Sequence, residues 1–262
     1  SDSKVKELKM KCYRAAKYSD VVNALGDAAR NGKKVTVFLE IQARFDEEAN
    51  INLAGKLHDE GVKIIPTIPG YKVHSKLICV TRNEDDEDVY YANISTGNFN
   101  ESTANVYADD SLLTANQDIA READKVFELF EARYNPPTFK HLIVSPFQSR
   151  NFFMRALDRE IANAREGKEA WATIKINSLV DKKMVTKLYQ ASQAGVKLKM
   201  IVRGICTLIP GVEGLSENIE VISIIDRFLE HSRIFIFCNG GDHRYFIGSA
   251  DWMPRNLDNR IE

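Results

Sequence analysis

His74-Ser75-Lys76 and His231-Ser232-Arg233 each place a histidine and a cation two positions apart, once in each half of the chain. Each triplet opens a run of apolar, β-branched residues. A polar turn follows about twenty residues later, Ser95-Thr96-Gly97-Asn98 in one half and Gly248-Ser249-Ala250-Asp251 in the other. On a strand, residues two apart project to the same face, so each pair is expected to set an imidazole beside a positive charge. A histidine serves as nucleophile, base or acid according to its neighbours. Lys76 and Arg233 would hold an anionic substrate against the rings and favour the neutral imidazole, the form able to attack. Either histidine alone could simply cap a sheet edge. Two in matching contexts predict a duplicated domain that builds one site from both copies.

Other polar residues are candidates to join them. Asn98, Asn100, Asp251 and Asn256 sit in turns that could return to the triplets, although short polar side chains favour turns for local reasons too. Glu230 precedes His231 and would point to the opposite face of a regular strand. It reads as a surface carboxylate, with imidazole orienter as the alternative. Three arginines stand at strand ends or strand-to-helix passages: Arg14, Arg44 and Arg203. There a guanidinium fork suits planar, bidentate contact with phosphate, and surface salt bridges are the competing reading. Gly204 beside Arg203 favours close ligand approach. His58, His141 and His243 lie in bland contexts. No H-E-x-x-H, cysteine cluster, calcium loop, Walker loop or dinucleotide-binding glycine fingerprint is present.

The elements that must position these residues alternate. In the first half helices are expected over 19–31 and 46–60, each ended by a glycine, with strands over 35–41 and 62–68. Lys76–Thr81 and Val89–Ile94 are expected to pair as a hairpin across the acidic loop 84–88, with a helix over 117–132. The second half repeats the scheme: helices over 152–166 and 180–194, strands over 170–176, 197–202, 219–225, 234–237 and 244–247. Such alternation predicts an α/β protein, two domains each with a mixed sheet flanked by helices, divided at Pro136-Pro137 into 1–135 and 136–262.

The chain's 262 residues carry a formal net charge of −1, which argues against general nucleic-acid binding. Four scattered cysteines point to reduced thiols and an intracellular setting. No apolar stretch has the length of a membrane span and no signal-peptide pattern opens the chain. The end at Ile261-Glu262, directly after a polar motif, is expected to mark a piece of a larger protein.

The paired triplets resemble the phospholipase D-like superfamily, whose two halves each contribute a histidine and a lysine. The stretches "EIQARFDEEANI", "VHSKLICVTR", "STGNFNESTANVYADDSLLT", "IVRGICTLIPGVEGLSENIEV", "RFLEHSRIFIF" and "IGSADWMPRNLDNR" resemble, more closely, the C-terminal catalytic half of polyphosphate kinases of the first type. That resemblance covers nearly the whole chain. It implies reversible transfer of the terminal phosphoryl group of ATP to inorganic polyphosphate through a phosphohistidine, with Mg²⁺ as cofactor. By motif match it implies His74 as the phosphorylated residue and His231 as the second active-site histidine. Tyr107 would stack on adenine and Arg203 would contact nucleotide phosphate. Arg14 and Arg44 match arginines of the magnesium–phosphate site. A guanidinium has no lone pair, so they are expected to hold phosphate oxygens that the metal also contacts. The resemblance further implies ATP, ADP and polyphosphate as partners, no nucleic acid, and a full-length homo-oligomer built through N-terminal and head domains. It implies a cytoplasmic location, peripheral to the inner membrane in the full-length bacterial protein. Without those domains the chain is expected to fold but to have weak or no kinase activity. Two departures from the phospholipase D pattern stand out. Arg233 replaces the lysine, and no aspartate follows either triplet within Ile78–Arg82 or Phe235–Asn239. Both weaken the alternative of phosphodiester hydrolysis. A non-catalytic polyanion-binding module is a further alternative, but binding alone needs cations and no paired imidazoles.

Overall fold

The computed structural model describes residues 2–12, 19–40, 47–66, 70–131 and 137–262; Arg14 and Arg44 lie outside the described residues. The chain divides into two compact units, Ser1–Asn105 with Ser111–Leu142, and Val106–Asp110 with Ile143–Glu262.

The first unit contains β1 (Val5–Cys12), α1 (Asp20–Arg30), β2 (Lys34–Leu39), α2 (Glu47–Asp59) and β3 (Lys63–Ile65). The two-residue β4 (Lys72–Val73), β5 (Leu77–Glu84), β6 (Glu87–Ser95) and α3 (Glu101–Ala104) follow. After β7 (Tyr107–Ala108), which belongs to the second unit, come β8 (Ser111–Thr114) and α4 (Gln117–Glu131). The sheet order is β3-β2-β1-β5-β6-β8. β1, β2 and β3 run parallel, whereas β5, β6 and β8 join by antiparallel pairing.

β1 is the strand that the sequence pattern conceals, because Lys6, Glu7, Lys9 and Lys11 interrupt its apolar positions. It lies between β2 and β5 all the same. Met10 and Cys12 join the core made with Val22 and Leu25 of α1 and Leu57 of α2. Lys9 points elsewhere and donates to Asp124 Oδ2 of α4 at 2.8 Å. Burial pulls its ammonium down, but that hydrogen bond and charge outweigh it and hold the Lys9 pKa above the ordinary value. Burial also pushes the Cys12 thiol up to about 11. The acidic hairpin loop is narrower than expected. Only Asp85 and Asp86 turn, with φ of 51° and 66°, and Glu84 pairs with Glu87. Aspartate tolerates the left-handed region, and a two-residue turn of that hand matches strand twist.

The second unit adds to β7 the elements α5 (Ser149–Arg165), β9 (Trp171–Ile176), α6 (Lys182–Gln193), β10 (Lys197–Val202) and β11 (Ile219–Ile222). β12 (Leu229–Glu230), β13 (Arg233–Phe237), β14 (Arg244–Gly248), α7 (Pro254–Asp258) and β15 (Arg260–Ile261) complete it. Its main sheet has the order β11-β10-β9-β13-β14. β9, β10 and β11 are parallel; β13 is antiparallel to both β9 and β14. Strand for strand this repeats β3-β2-β1-β5-β6, the structural counterpart of the repeated sequence motifs. Trp252 is fully buried and stacks on Phe235, with ring centroids 5.8 Å apart.

A network centred on Arg150 ties α5 to α6 and α7. Its guanidinium donates twice to Asp181, at 2.7 Å each, and also to Asp258. Asp181 is itself the N-cap of α6 and accepts the Met184 N–H at 3.0 Å. Burial alone would raise the Asp181 carboxyl; Arg150 and the cap N–H groups hold it below the usual carboxylate range. Arg150→Ala is therefore expected to destabilise the unit by about 2–3 kcal/mol in urea unfolding at neutral pH. Because the folded pKa is lowered, Asp181 contributes stability above its unfolded value, and that stability is lost as pH falls through the folded value. The variant should lose less stability than the parent over the acid range. A difference below about 0.5 kcal/mol at neutral pH would reduce the network to a surface ion pair.

Candidate active site

Both histidines stand just ahead of their strands rather than on them. β5 begins at Leu77 and β13 at Arg233, so His74 and His231 lie in the short approaches. The same-face expectation for histidine and cation thus does not describe the arrangement. Instead, each cation folds back on its own triplet. Lys76 Nζ donates to the His74 carbonyl at 2.6 Å, and Arg233 Nη1 donates to the His231 carbonyl at 2.6 Å. Lys76 is 2% exposed and Arg233 4% exposed, so these charges fix the backbone under each imidazole from within the fold. A charge-assisted hydrogen bond is among the stronger local restraints.

The copies then diverge. Arg233 also reaches Asp251, with Nε and Nη2 each 3.3 Å from a carboxylate oxygen. Asp251 occupies the turn after β14, and the matching turn after β6 carries Asn98. The turns thus differ between the copies: a carboxylate that pairs with the arginine in one, and an asparagine at the corresponding position of the other. Asn100 caps α3, accepting the N–H groups of Ser102 and Thr103, and Asn256 donates to Glu262. Ser95 caps its own turn by accepting the Gly97 N–H at 3.1 Å.

Around His231 the second unit provides a defined set of neighbours. β7 pairs in parallel with β12, Leu229 opposite Tyr107 and Glu230 opposite Ala108. The Ala108 carbonyl then accepts the N–H groups of His231 and Ser232 at 3.0 and 3.1 Å. This pairing sets the Tyr107 ring 5.1 Å from the imidazole, tilted by 50°. It also brings Asp109 Oδ1 to 2.8 Å from His231 Nδ1. A carboxylate on Nδ1 selects the tautomer that carries its proton there and leaves Nε2 for chemistry. Glu230 is not that orienter, since its Oε2 lies 2.8 Å from Lys175 Nζ. Sequence reasoning missed Asp109. Its only signal was its place two residues after Tyr107, far in sequence from the histidine it serves.

Arg203 follows β10, and its loop is bonded to the end of β9. The Arg203 N–H donates to the Ile176 carbonyl at 3.3 Å and the Gly204 N–H to the Asn177 carbonyl at 2.7 Å. A Cβ at Gly204 would meet that carbonyl at 2.9 Å, so the close approach requires glycine. Asn177 in turn donates from its backbone N to Asp251 Oδ1 at 2.8 Å and from Nδ2 to the His231 carbonyl at 3.2 Å. Arg203, His231, Tyr107, Asp109, Arg233 and Asp251 thus belong to one bonded constellation within the second unit. His74 and Lys76 belong to the first.

Among the described residues, no three His, Cys, Asp or Glu side chains are grouped to hold a metal ion. No described helix is long and apolar enough to cross a membrane.

Two α/β units of repeated topology, each with a histidine–serine–cation triplet ahead of the corresponding strand, define a phospholipase D-like protein. Residues 1–136 match the family model Polyphosphate kinase C-terminal domain 1, and residues 142–262 match Polyphosphate kinase C-terminal domain 2. The chain belongs to the polyphosphate kinase family, as a homologue of its C-terminal catalytic region. Polyphosphate kinase of Vibrio vulnificus strain YJ016 is 56% identical over 261 residues, covering 100% of this chain and 37% of that protein. The Escherichia coli K12 polyphosphate kinase is 52% identical over 261 residues, covering 100% of this chain and 38% of its own length. The chain therefore spans little more than a third of these relatives. The crystal structure of polyphosphate kinase from Porphyromonas gingivalis matches 99% of this chain and 40% of that one, with a TM-score of 0.91 and 41% identity. A yeast tyrosyl-DNA phosphodiesterase mutant shares the fold alone, with a TM-score of 0.51 at 10% identity over 100% of this chain and 81% of that one.

Proposed function

We propose that this chain is the phosphoryl-transferring part of an enzyme that moves the terminal phosphoryl group of ATP reversibly onto inorganic polyphosphate. The observation that carries the reading is the repeated histidine whose own carbonyl is held by a buried cation, in a chain of this family. In the proposed reaction a ring nitrogen of His74 attacks the γ-phosphorus. The bond from that phosphorus to the β–γ bridging oxygen breaks, and ADP departs with the electron pair. His231, held by Asp109, supplies a proton to the departing oxygen. In the second step a terminal phosphate oxygen of polyphosphate attacks the phosphohistidine, lengthening the polymer by one unit and freeing His74. Splitting the transfer keeps two polyanions from having to meet directly, and fixed cations offset charge on the moving phosphoryl.

Arg203 is assigned to nucleotide phosphate and Tyr107 to the adenine face, beside the imidazole it already neighbours. Lys76 and Arg233 hold the histidine backbones and add positive potential to the substrate phosphates. Mg²⁺ enters bound to ATP; Arg14 and Arg44 are assigned to the same phosphate oxygens by their sequence motifs. Hydrolysis of a phosphodiester is disfavoured by the missing aspartate after each triplet. The working enzyme is proposed to be a cytoplasmic homo-oligomer built through domains beyond this chain.

The test is intact-mass measurement of the full-length protein after incubation with Mg-ATP, with the modified residue mapped at alkaline pH. One phosphoryl group, acid-labile and located on His74, is expected. No adduct, or one mapped to another residue, would reject the mechanism.

A further inference from the structure

Asn177 is 4% exposed, and its Oδ1 is buried with no hydrogen-bond partner, although its Nδ2 is engaged by the His231 carbonyl. Arg203 shows the complementary defect: its Nε is buried and likewise without a partner. One is an acceptor, the other a donor. Both follow neighbouring parallel strands whose last paired residues are Ile176 and Val202, so Asn177 and Arg203 stand next to each other in register. Their backbones are already joined through Gly204. Leaving both groups unpaired is unfavourable, and turning the guanidinium by rotation about its side-chain torsions could satisfy both at once.

We propose that Asn177 is a positioning residue that couples nucleotide binding to His231: Arg203 Nε donates to Asn177 Oδ1 when the guanidinium is drawn onto the nucleotide phosphates. The same amide then restrains the His231 carbonyl through Nδ2, so a filled phosphate site steadies the imidazole. This inference rests on the assignment of Arg203 to nucleotide phosphate made above. An amide is the side chain suited to the task, because it accepts on one side and donates on the other. Aspartate would keep the acceptor and lose the donor, and leucine would lose both.

A double-mutant cycle in the full-length protein tests the coupling, read as KM for Mg-ATP and kcat for polyphosphate synthesis. Arg203→Lys, which keeps the charge but lacks an Nε–H at that position, is expected to raise KM about tenfold. Asn177→Leu should raise it by a similar factor, and the double variant should be little worse than Arg203→Lys alone. Asn177→Asp should separate the two functions, keeping KM near the parent value while kcat falls. It also carries the test should Asn177→Leu fail to fold, because loss of the Nδ2 donor alone would then account for the kcat effect. KM effects of Arg203→Lys and Asn177→Leu that multiply would overturn the coupling and leave the Arg203 assignment intact. An unchanged KM in Arg203→Lys would overturn that assignment and the coupling with it. Equal KM and kcat effects of Asn177→Asp and Asn177→Leu would reduce Asn177 to a structural role.

Discussion

His74→Ala is expected to abolish the acid-labile phosphoprotein formed from Mg-ATP and to reduce polyphosphate synthesis by at least about 10³-fold, the scale seen when a covalent nucleophile is removed. The structure around the residue makes this a chemical loss and not an unfolding. Lys76 grips the His74 carbonyl, which alanine retains, so the buried ammonium keeps that contact. His74 lies ahead of β5 and is only partly buried, leaving the register of β5 with β1 and β6 untouched. Thermal denaturation should therefore change little. Radiolabel from γ-labelled ATP that survives in His74→Ala with undiminished stoichiometry would remove His74 from the nucleophile's role. His231→Ala makes the contrast: the adduct should still form, more slowly, because its proposed task is protonation and not attack.

What could be read in the sequence divides along the range of the interactions involved. α1, α2, α4, α5 and α6 announce themselves through apolar spacing and end signals. Ser19 caps α1 by accepting the Val22 N–H, and Gly32 beyond its end has φ of 76°. β10, bounded by a helix-ending glycine and by Arg203, falls where its apolar run predicts. β1 does not, because its lysines look like a solvated stretch until Asp124, 115 residues away, is brought to Lys9. The same limit governs the candidate site. The triplets are local and visible. The partner of the His231 ring is not, because the β7–β12 pairing that delivers Asp109 joins two two-residue strands separated by more than a hundred residues. The expected strands, over Lys76–Thr81 and 234–237, already left each histidine ahead of its strand, as β5 and β13 do. A run of apolar residues tells where pairing can occur, but that each cation turns back onto its histidine carbonyl is a three-dimensional choice.

Asp109→Asn is expected to lower kcat on the order of 10²–10⁴-fold while leaving KM for Mg-ATP within about threefold of the parent, by analogy with other carboxylate–imidazole pairs. The amide is isosteric, so the contact to His231 Nδ1 at 2.8 Å can persist in length. Its character changes. Asparagine can present an N–H to Nδ1, which forces the ring proton onto Nε2 and stabilises the wrong tautomer, and it no longer balances the imidazolium that proton transfer requires. The Tyr107 ring and the Ala108 carbonyl contacts to His231 and Ser232 depend on backbone pairing, so nucleotide stacking should survive. The discriminating measurement is single-turnover kinetics of the full-length protein. If His231 protonates the departing oxygen, phosphorylation of His74 by ATP should slow in Asp109→Asn, and the loss should shrink with a donor whose leaving group needs no proton. An equal loss with both donors would assign Asp109 to holding the β7–β12 pairing. A normal rate with ATP would remove His231 from proton transfer altogether.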